Sequence, residues 1–221
     1  MRVVAMIPVK IGSQRIPGKN IKEFFDGTPL VSLIQRVCMK SPHIDEVYVY
    51  CSDISIESYL EPNVRFLQRP SFLDSDDCNC NDIIREFIKS VDADVYVVSH
   101  ATGPFTKVQS INACIDAVVN NGYDSAFLAK RLQAFLWQDG EALNFDPQFF
   151  PRTQDLKPVF EEASGAFVFP KETFIKYGRR VGANPFICEV DDIEAIDIDY
   201  PIDFVIADAI YKEIVKNECN D

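Results

Sequence analysis

Three cations, Lys10, Arg15 and Lys19, fall within KIGSQRIPGK (10–19), directly after the short apolar run VVAMIPV. Residues 1–22 carry five Lys or Arg and no Asp or Glu, in a chain with 34 acidic and 22 basic residues. A local block of positive charge in an acidic protein suits an anion, and Gly12, Ser13 and Gly18 can offer backbone amides beside it. The other reading is a basic surface turn. Near the far end of the chain stands Asp197-Ile-Asp199. On a strand, residues two apart share a face. Two carboxylates so placed repel unless a cation joins them, and Mg²⁺ takes a few carboxylates plus water and phosphate oxygens. Beside Asp191, Asp192 and Glu194, the same pair also reads as a solvated acidic strand end.

The elements that must position these groups alternate. VVAMIPV (3–9) reads as a strand. A helix is expected over 28–41, with Thr28 as cap, Pro29 at its first position and a stripe of Leu30, Leu33, Ile34 and Val37. Strands follow at 46–53 and 64–69, with Asp53 capping a short helix between them. A helix is expected at 80–91, a strand at 95–101, a helix at 106–122 closed by Gly122, and a strand at 125–132. This rhythm predicts an α/β fold, a mostly parallel sheet with helices on both faces. Residues 133–165 interrupt it with turn signals at Asp139-Gly140 and Asp146-Pro147 and read as an antiparallel excursion. The sheet is expected to resume at 166–170. Residues 187–199 read as a last strand, followed by a helix from Pro201 to about Lys216. Asp199 is its expected cap, and Ile202, Ile206, Ala209, Ile210 and Ile214 its stripe.

Two common phosphate loops do not fit the opening segment. The dinucleotide fingerprint needs G-x-G-x-x-G; the Walker A loop needs four residues between glycines and a hydroxyl after the lysine. Here five residues separate Gly12 from Gly18, and Asn20 follows Lys19. A nucleotidyltransferase loop remains, in which cations and amides grip a triphosphate and offset the charge of departing pyrophosphate. IPVKIGSQRIPGKNIKEFFDGTPL resembles the opening motif of the acylneuraminate cytidylyltransferase family, the CMP-sugar synthetases. That motif runs I-P-A-R-x-G-S-x-R-x-P-x-K-N and ends in G-x-P-L. Lys10 stands where the family has arginine, keeping the charge but losing the bidentate fork. EAIDIDYPIDF (194–204) resembles the family's C-terminal segment.

The resemblance extends over nearly the whole chain. It implies a three-layer, Rossmann-like nucleotidyltransferase domain at 1–132 and 166–221, with a dimerisation insert at 133–165. It further implies a CTP-dependent enzyme that transfers CMP to the anomeric hydroxyl of an acidic, nonulosonic sugar. Lys10, Arg15 and Lys19 would act on the phosphates, and Asp197 and Asp199 would hold Mg²⁺, the expected cofactor. Pro8, Gly12, Ser13, Asn20, Arg69, Cys78 and Cys80 fall at nucleotide positions, and His100, Thr102, Lys130 and Arg152 at acceptor positions. Cys78, Asn79 and Cys80 replace hydroxyls of the family pattern, and His100 is a departure from it. Gly165, in a family-like S-G-A-F, reads as a backbone requirement. Phe135, Trp137, Phe145, Phe149 and Phe150 would be exposed on a monomer, so a homodimer is expected. Acceptors such as a 3-deoxyoctulosonate or a phosphonate, or a homologue with weakened turnover, are the alternatives.

Composition bounds the rest. A net charge of −12 argues against nucleic-acid or anionic-membrane partners. Hydrophobic residues make up 47%, enough for a core, but no apolar run approaches a bilayer span. Seven cysteines, without zinc-type pairing, read as reduced thiols of a cytoplasmic protein, and no signal peptide is expected. Cys78 and Cys80 stand too close together for a good metal pair.

Overall fold

The computed structural model describes residues 1–218. In chain order the elements are β1 (Val3–Val9), α1 (Leu30–Lys40), β2 (Glu46–Cys51), β3 (Arg65–Gln68), α2 (Cys80–Ser90), β4 (Val95–Val98), α3 (Val108–Val119), β5 (Ser125–Leu132), β6 (Trp137–Gln138), β7 (Glu141–Ala142), β8 (Val159–Pro170), α4 (Lys171–Tyr177), β9 (Pro185–Val190) and α5 (Pro201–Glu218). Seven strands form one sheet in the order β3-β2-β1-β4-β8-β5-β9. All its pairings are parallel except those of β8, which runs antiparallel to both β4 and β5.

The alternating faces of β1 explain the two main cores. Val3, Ala5, Ile7 and Val9 point into one cluster with Val31 and Ile34 of α1 and Ile111 and Ile115 of α3. Val4 and Met6 point into the other, with Ile84 and Phe87 of α2. A strand buried on both faces must be apolar throughout, as VVAMIPV is. The sheet order reverses between β1 and β4. Ligands of open α/β sheets bind beyond the carboxyl ends of the strands at such a reversal.

Several local expectations need correction. Thr28 does not cap α1: its hydroxyl donates to Asp26 (3.0 Å), and Pro29 takes the cap position without a side-chain bond. The last strand ends at Val190 rather than 199. The Asp191 carboxylate accepts from the amides of Ile193 (3.1 Å) and Glu194 (2.8 Å), which turns the chain off the sheet. Asp197 and Asp199 therefore lie on a non-strand segment. The amides of Asp199 (2.9 Å) and Tyr200 (2.7 Å) donate to Asp203, so Asp203 rather than Asp199 caps α5. Among the described side chains of α5, Phe204 and Ala207 are buried, whereas Ile202 and Ile206 are exposed. The excursion is also shorter than expected, because β8 already pairs with β5 from Val159. Within it β6 and β7 form a hairpin whose turn residues, Asp139 and Gly140, both take positive φ. Phe135 and Phe145 are half-buried against each other and Phe150, while Trp137, Phe149 and Phe150 are exposed.

Candidate active site

A cleft of about 390 Å³ opens at the carboxyl ends of β1 and β4, lined by eight residues of the 8–20 loop and by 100–102, together with Arg69, Asp76, Cys80 and Ile83. Pro8, Lys10, Gly12, Ser13, Arg15, Lys19, Asn20, Arg69, Cys80, His100 and Thr102 all border it. A second cavity of about 370 Å³ shares Cys80, His100 and Thr102 with the first and adds Glu162, Ser164, Phe167, Arg180 and Asp197. Sharing these three residues, the two cavities adjoin as halves of one groove at the carboxyl ends of the central strands.

The loop after β1 is held in shape from several sides. Gly18 adopts φ 64°, left-handed backbone that favours glycine, just before the turn carrying Lys19 and Asn20. The Asn20 amide donates to the Lys10 carbonyl (2.9 Å), which ties the loop's two ends together. Ile16 and Ile198 are both buried in a small third core with Phe24, Leu30 and Phe204. This apolar contact draws the cationic loop and the Asp197–Asp199 segment together. Burying each isoleucine contributes about 1.5–3 kcal/mol.

Charges meet across that contact. Lys19, largely buried, donates through Nζ to the Ile198 carbonyl (2.6 Å) and lies 3.4 Å from Asp199 Oδ1. Arg15 Nη2 stands 3.0 Å from the same oxygen, and its guanidinium covers the Tyr200 ring. Asp199 accordingly raises the Arg15 pKa. Asp197 lies on the other side of Ile198, where its Oδ1 accepts from Ser164 Oγ (3.1 Å). Ser164 in turn accepts from Thr102 Oγ1 (3.3 Å), and the Thr102 carbonyl accepts from the Ile198 amide (2.9 Å). The acidic segment is thus pinned to the loop after β4, although it is not a strand.

The Lys10 side of the cleft is built around Asp74. Its carbonyl accepts from Lys10 Nζ (2.5 Å) and its carboxylate pairs with Arg69. Arg69 is almost wholly buried, yet its Nε–H has no protein partner. A buried unpartnered donor costs about 1–3 kcal/mol, and it is costly to leave unsatisfied at a cleft wall. Cys80 opens α2 beside the cleft; burial raises its thiol pKa. Asn79 and Asp82 cap α2 reciprocally, which fixes where Cys80 sits.

Three expected positions fall outside the groove. Cys78 turns its thiol to the Phe72 carbonyl (3.4 Å) instead. Lys130 pairs with Asp192 (2.9 Å) and Arg152, on the excursion, with Asp155 (2.8 Å). Local sequence misses Arg180, which reaches the groove from the loop after α4. It gives no motif signal there, only an Arg pair in a glycine-bounded turn.

His100 faces both halves of the groove. Its enclosure, reinforced by the cations Arg180 and Lys19, lowers its pKa to about 4. It is therefore a neutral imidazole at pH 7. Gly165 allows β8 to pass the site. A Cβ there would fall on the buried Thr106 hydroxyl and come within 3.1 Å of Leu128. The need is for space, since the residue is not among those with positive φ.

A doubly wound sheet with a cationic loop and a carboxylate segment meeting at its topological switch point defines a nucleotidyltransferase-like α/β protein. A family model described as Cytidylyltransferase matches residues 4–216, and the chain belongs to that family. It is 28% identical over 216 residues to N-acylneuraminate cytidylyltransferase A of Danio rerio, covering 93% of this chain and 50% of that protein. It is 25% identical over 223 residues to pseudaminic acid cytidylyltransferase of Campylobacter jejuni, covering 89% of this chain and 94% of that one. The chain thus spans about half the length of the N-acylneuraminate relatives. Among solved structures it superposes on CMP:2-keto-3-deoxy-manno-octonic acid synthetase complexed with CTP, with a TM-score of 0.73 at 16% identity, covering 96% of this chain and 99% of that one. At such identity the likeness establishes the fold.

Proposed function

We propose that this chain is a CTP-dependent cytidylyltransferase. It transfers CMP to the anomeric hydroxyl of an acidic, sialic-type sugar and releases pyrophosphate. The observation that carries this reading is the Lys19–Ile198–Asp199 contact, which joins the cationic loop lining the cleft to the carboxylate segment. The names of the relatives, sialic and pseudaminic alike, support the acceptor class.

In this reading the triphosphate lies along Lys10, Arg15 and Lys19. Arg15 and Lys19 can turn from Asp199 to phosphate oxygens and offset the charge that develops on pyrophosphate. Pro8, Gly12, Ser13 and Asn20 bound the phosphates and nucleoside, and Arg69 lines the same wall. His100 and Thr102 face the acceptor, whose hydroxyl attacks the α-phosphorus in line. Positioning and charge neutralisation supply the rate, with little covalent work for the protein.

Asp197 and Asp199 fit Mg²⁺ as hard oxygen donors. Among the described residues no group of three or more His, Cys, Asp or Glu is arranged to hold a metal ion. Mg²⁺ bound by one or two carboxylates and completed by phosphate oxygens needs no such cage. When bound, it would offset phosphate charge and make the sugar hydroxyl more acidic. A homodimer through the exposed aromatics of the excursion and a cytoplasmic location complete the reading. No described helix is long and apolar enough to cross a membrane.

Incubation of labelled CTP and Mg²⁺ with a panel of nonulosonic and 3-deoxyoctulosonic acids tests it: a CMP-sugar and pyrophosphate are expected, and no product with any acid refutes it. Lys10 in place of arginine favours a second reading, a homologue with weakened turnover. CTP binding without pyrophosphate release marks that case.

A further inference from the structure

The acceptor half of the groove contains a cation that nothing in the local sequence pattern singles out. Arg180 lies in the loop between α4 and β9, and its side chain is 21% exposed. The loop is rigidly seated. The Asp124 carboxylate accepts from the amides of Ala183 (2.7 Å) and Asn184 (3.0 Å), and the Gly182 amide donates to Ser125 Oγ (2.8 Å). The Arg180 amide itself points to Asn81 Oδ1 (3.3 Å) at the start of α2.

The guanidinium is oriented mostly by neutral groups. It lies over the Phe167 ring, 3.3 Å from the centroid. Its Nη1 donates to Cys80 Sγ (3.4 Å) and His100 Nε2 (3.3 Å). An arginine can only donate, so His100 must present a bare ring nitrogen there. Among the described residues its anionic contact is Nη2 to Glu162 Oε2 at 3.3 Å, with the Glu162 side chain half exposed. Such a long, solvent-open pair contributes little. Lys10, Arg15, Lys19, Arg69, Lys130 and Arg152 likewise each stand within 3.5 Å of an Asp carboxylate; what distinguishes Arg180 is its neutral cradle of Phe167, Cys80 and His100.

A sugar acid places its carboxylate beside the reacting anomeric carbon, and a planar fork is the best match for it. Lys130 and Arg152, the cations expected at acceptor positions, pair with Asp192 and Asp155 instead. Arg180 borders the same cavity as Ser164 and Asp197. We infer that Arg180, steadied by Phe167, Cys80 and neutral His100, is the residue that grips the acceptor's carboxylate in this chain. The inference rests on the acceptor class proposed above. Glu162 then acts as a stand-in partner that the incoming carboxylate displaces, and His100 is a positioning residue.

The test measures binding as well as turnover. Wild type, Arg180→Met and Arg180→Lys are titrated with N-acylneuraminate, pseudaminic acid and 2-keto-3-deoxy-manno-octonic acid, each also as its methyl ester, in the presence of a non-hydrolysable CTP analogue. CTP affinity, measured separately, shows that each variant is folded. Wild type is expected to bind at least one acid about tenfold or more tightly than its ester, roughly one charge-assisted hydrogen-bonded contact. Arg180→Met is expected to lose that preference and to raise the acceptor KM by a similar factor, with CTP affinity unchanged. Arg180→Lys should recover part of it. Unchanged acid preference in Arg180→Met, an equal loss of CTP affinity, or no binding of any acid by wild type would overturn the assignment. If wild type binds an acid in an Arg180-dependent manner but makes no CMP-sugar, the proposed activity fails while this subsite stands.

Discussion

Lys19 is an enclosed ammonium with a carbonyl and a carboxylate as neighbours, both from a segment 179 or more residues away in sequence. It acts both as a fastener between two segments and as a charge aimed into the cleft. Lys19→Met should lower kcat/KM on the order of 100- to 1,000-fold, the usual loss when one preorganised donor to a developing charge is removed. Steady-state kinetics, together with loss of the CTP-induced thermal shift in a folded variant, would check this. His100 gives a prediction of a different kind. Its folded pKa of about 4 lies below the ordinary value of about 6.5. As pH falls below 6.5, the unfolded chain takes up this proton before the folded chain does. Its contribution to stability is whole above 6.5, declines toward 4 and is constant below. Denaturant titrations at pH 7 and 5 should show wild type losing more stability than His100→Gln. With two histidines in the chain, NMR should also show the imidazole signal abolished by His100→Gln titrating near pH 4.

At the scale of elements, the third core decides whether the site exists. Ile16 belongs to the cationic loop, Ile198 to the acidic segment, and Phe204 and Ala207 to α5. Phe24 stacks on Phe204 at 5.1 Å, extending the cluster toward α1. Ile198→Ala should cost about 2–5 kcal/mol, as other buried large-to-small changes do. Because the cavity would open between the two charged segments, CTP affinity should fall more than with Val118→Ala on α3, a buried position away from the cleft. Denaturation and CTP titration of both variants separate the two effects. α2 shows the same division of labour across the cleft: its reciprocal Asn79–Asp82 cap orients the first turn, and Cys80 in that turn meets Arg180.

For the whole molecule, charge and surface diverge. The chain carries −12 overall, yet concentrates cations in one groove, so the field that an anionic substrate meets is local rather than global. The excursion beyond β5 presents Trp137, Leu143, Phe149 and Phe150 largely exposed. Apolar surface gathered on one excursion from the sheet suits a second copy of the chain. Sedimentation at micromolar concentration should give a two-chain mass for wild type and a one-chain mass for the double variant Trp137→Ser, Phe150→Ser. A one-chain wild type would refute the dimer.

Much of this was legible in the residues themselves. Apolar strands buried on both faces have a plain signature, so VVAMIPV and the alternating helices could be read, as could the cationic character of 10–20. That the loop meets Asp197–Asp199 had local grounds only in charge. The contact itself depends on Ile16 and Ile198 sharing a core, and no spacing rule connects residues that far apart. The strand assigned to 187–199 failed because a single side chain, Asp191, bonds two amides ahead of it and turns the chain, an effect that hydrophobic pattern does not encode. Local sequence determined which groups were available and which elements they would ride on. Tertiary packing alone chose Arg180 over Lys130 and Arg152 for the groove, because where a long side chain ends is set by the loops and rings packed around it.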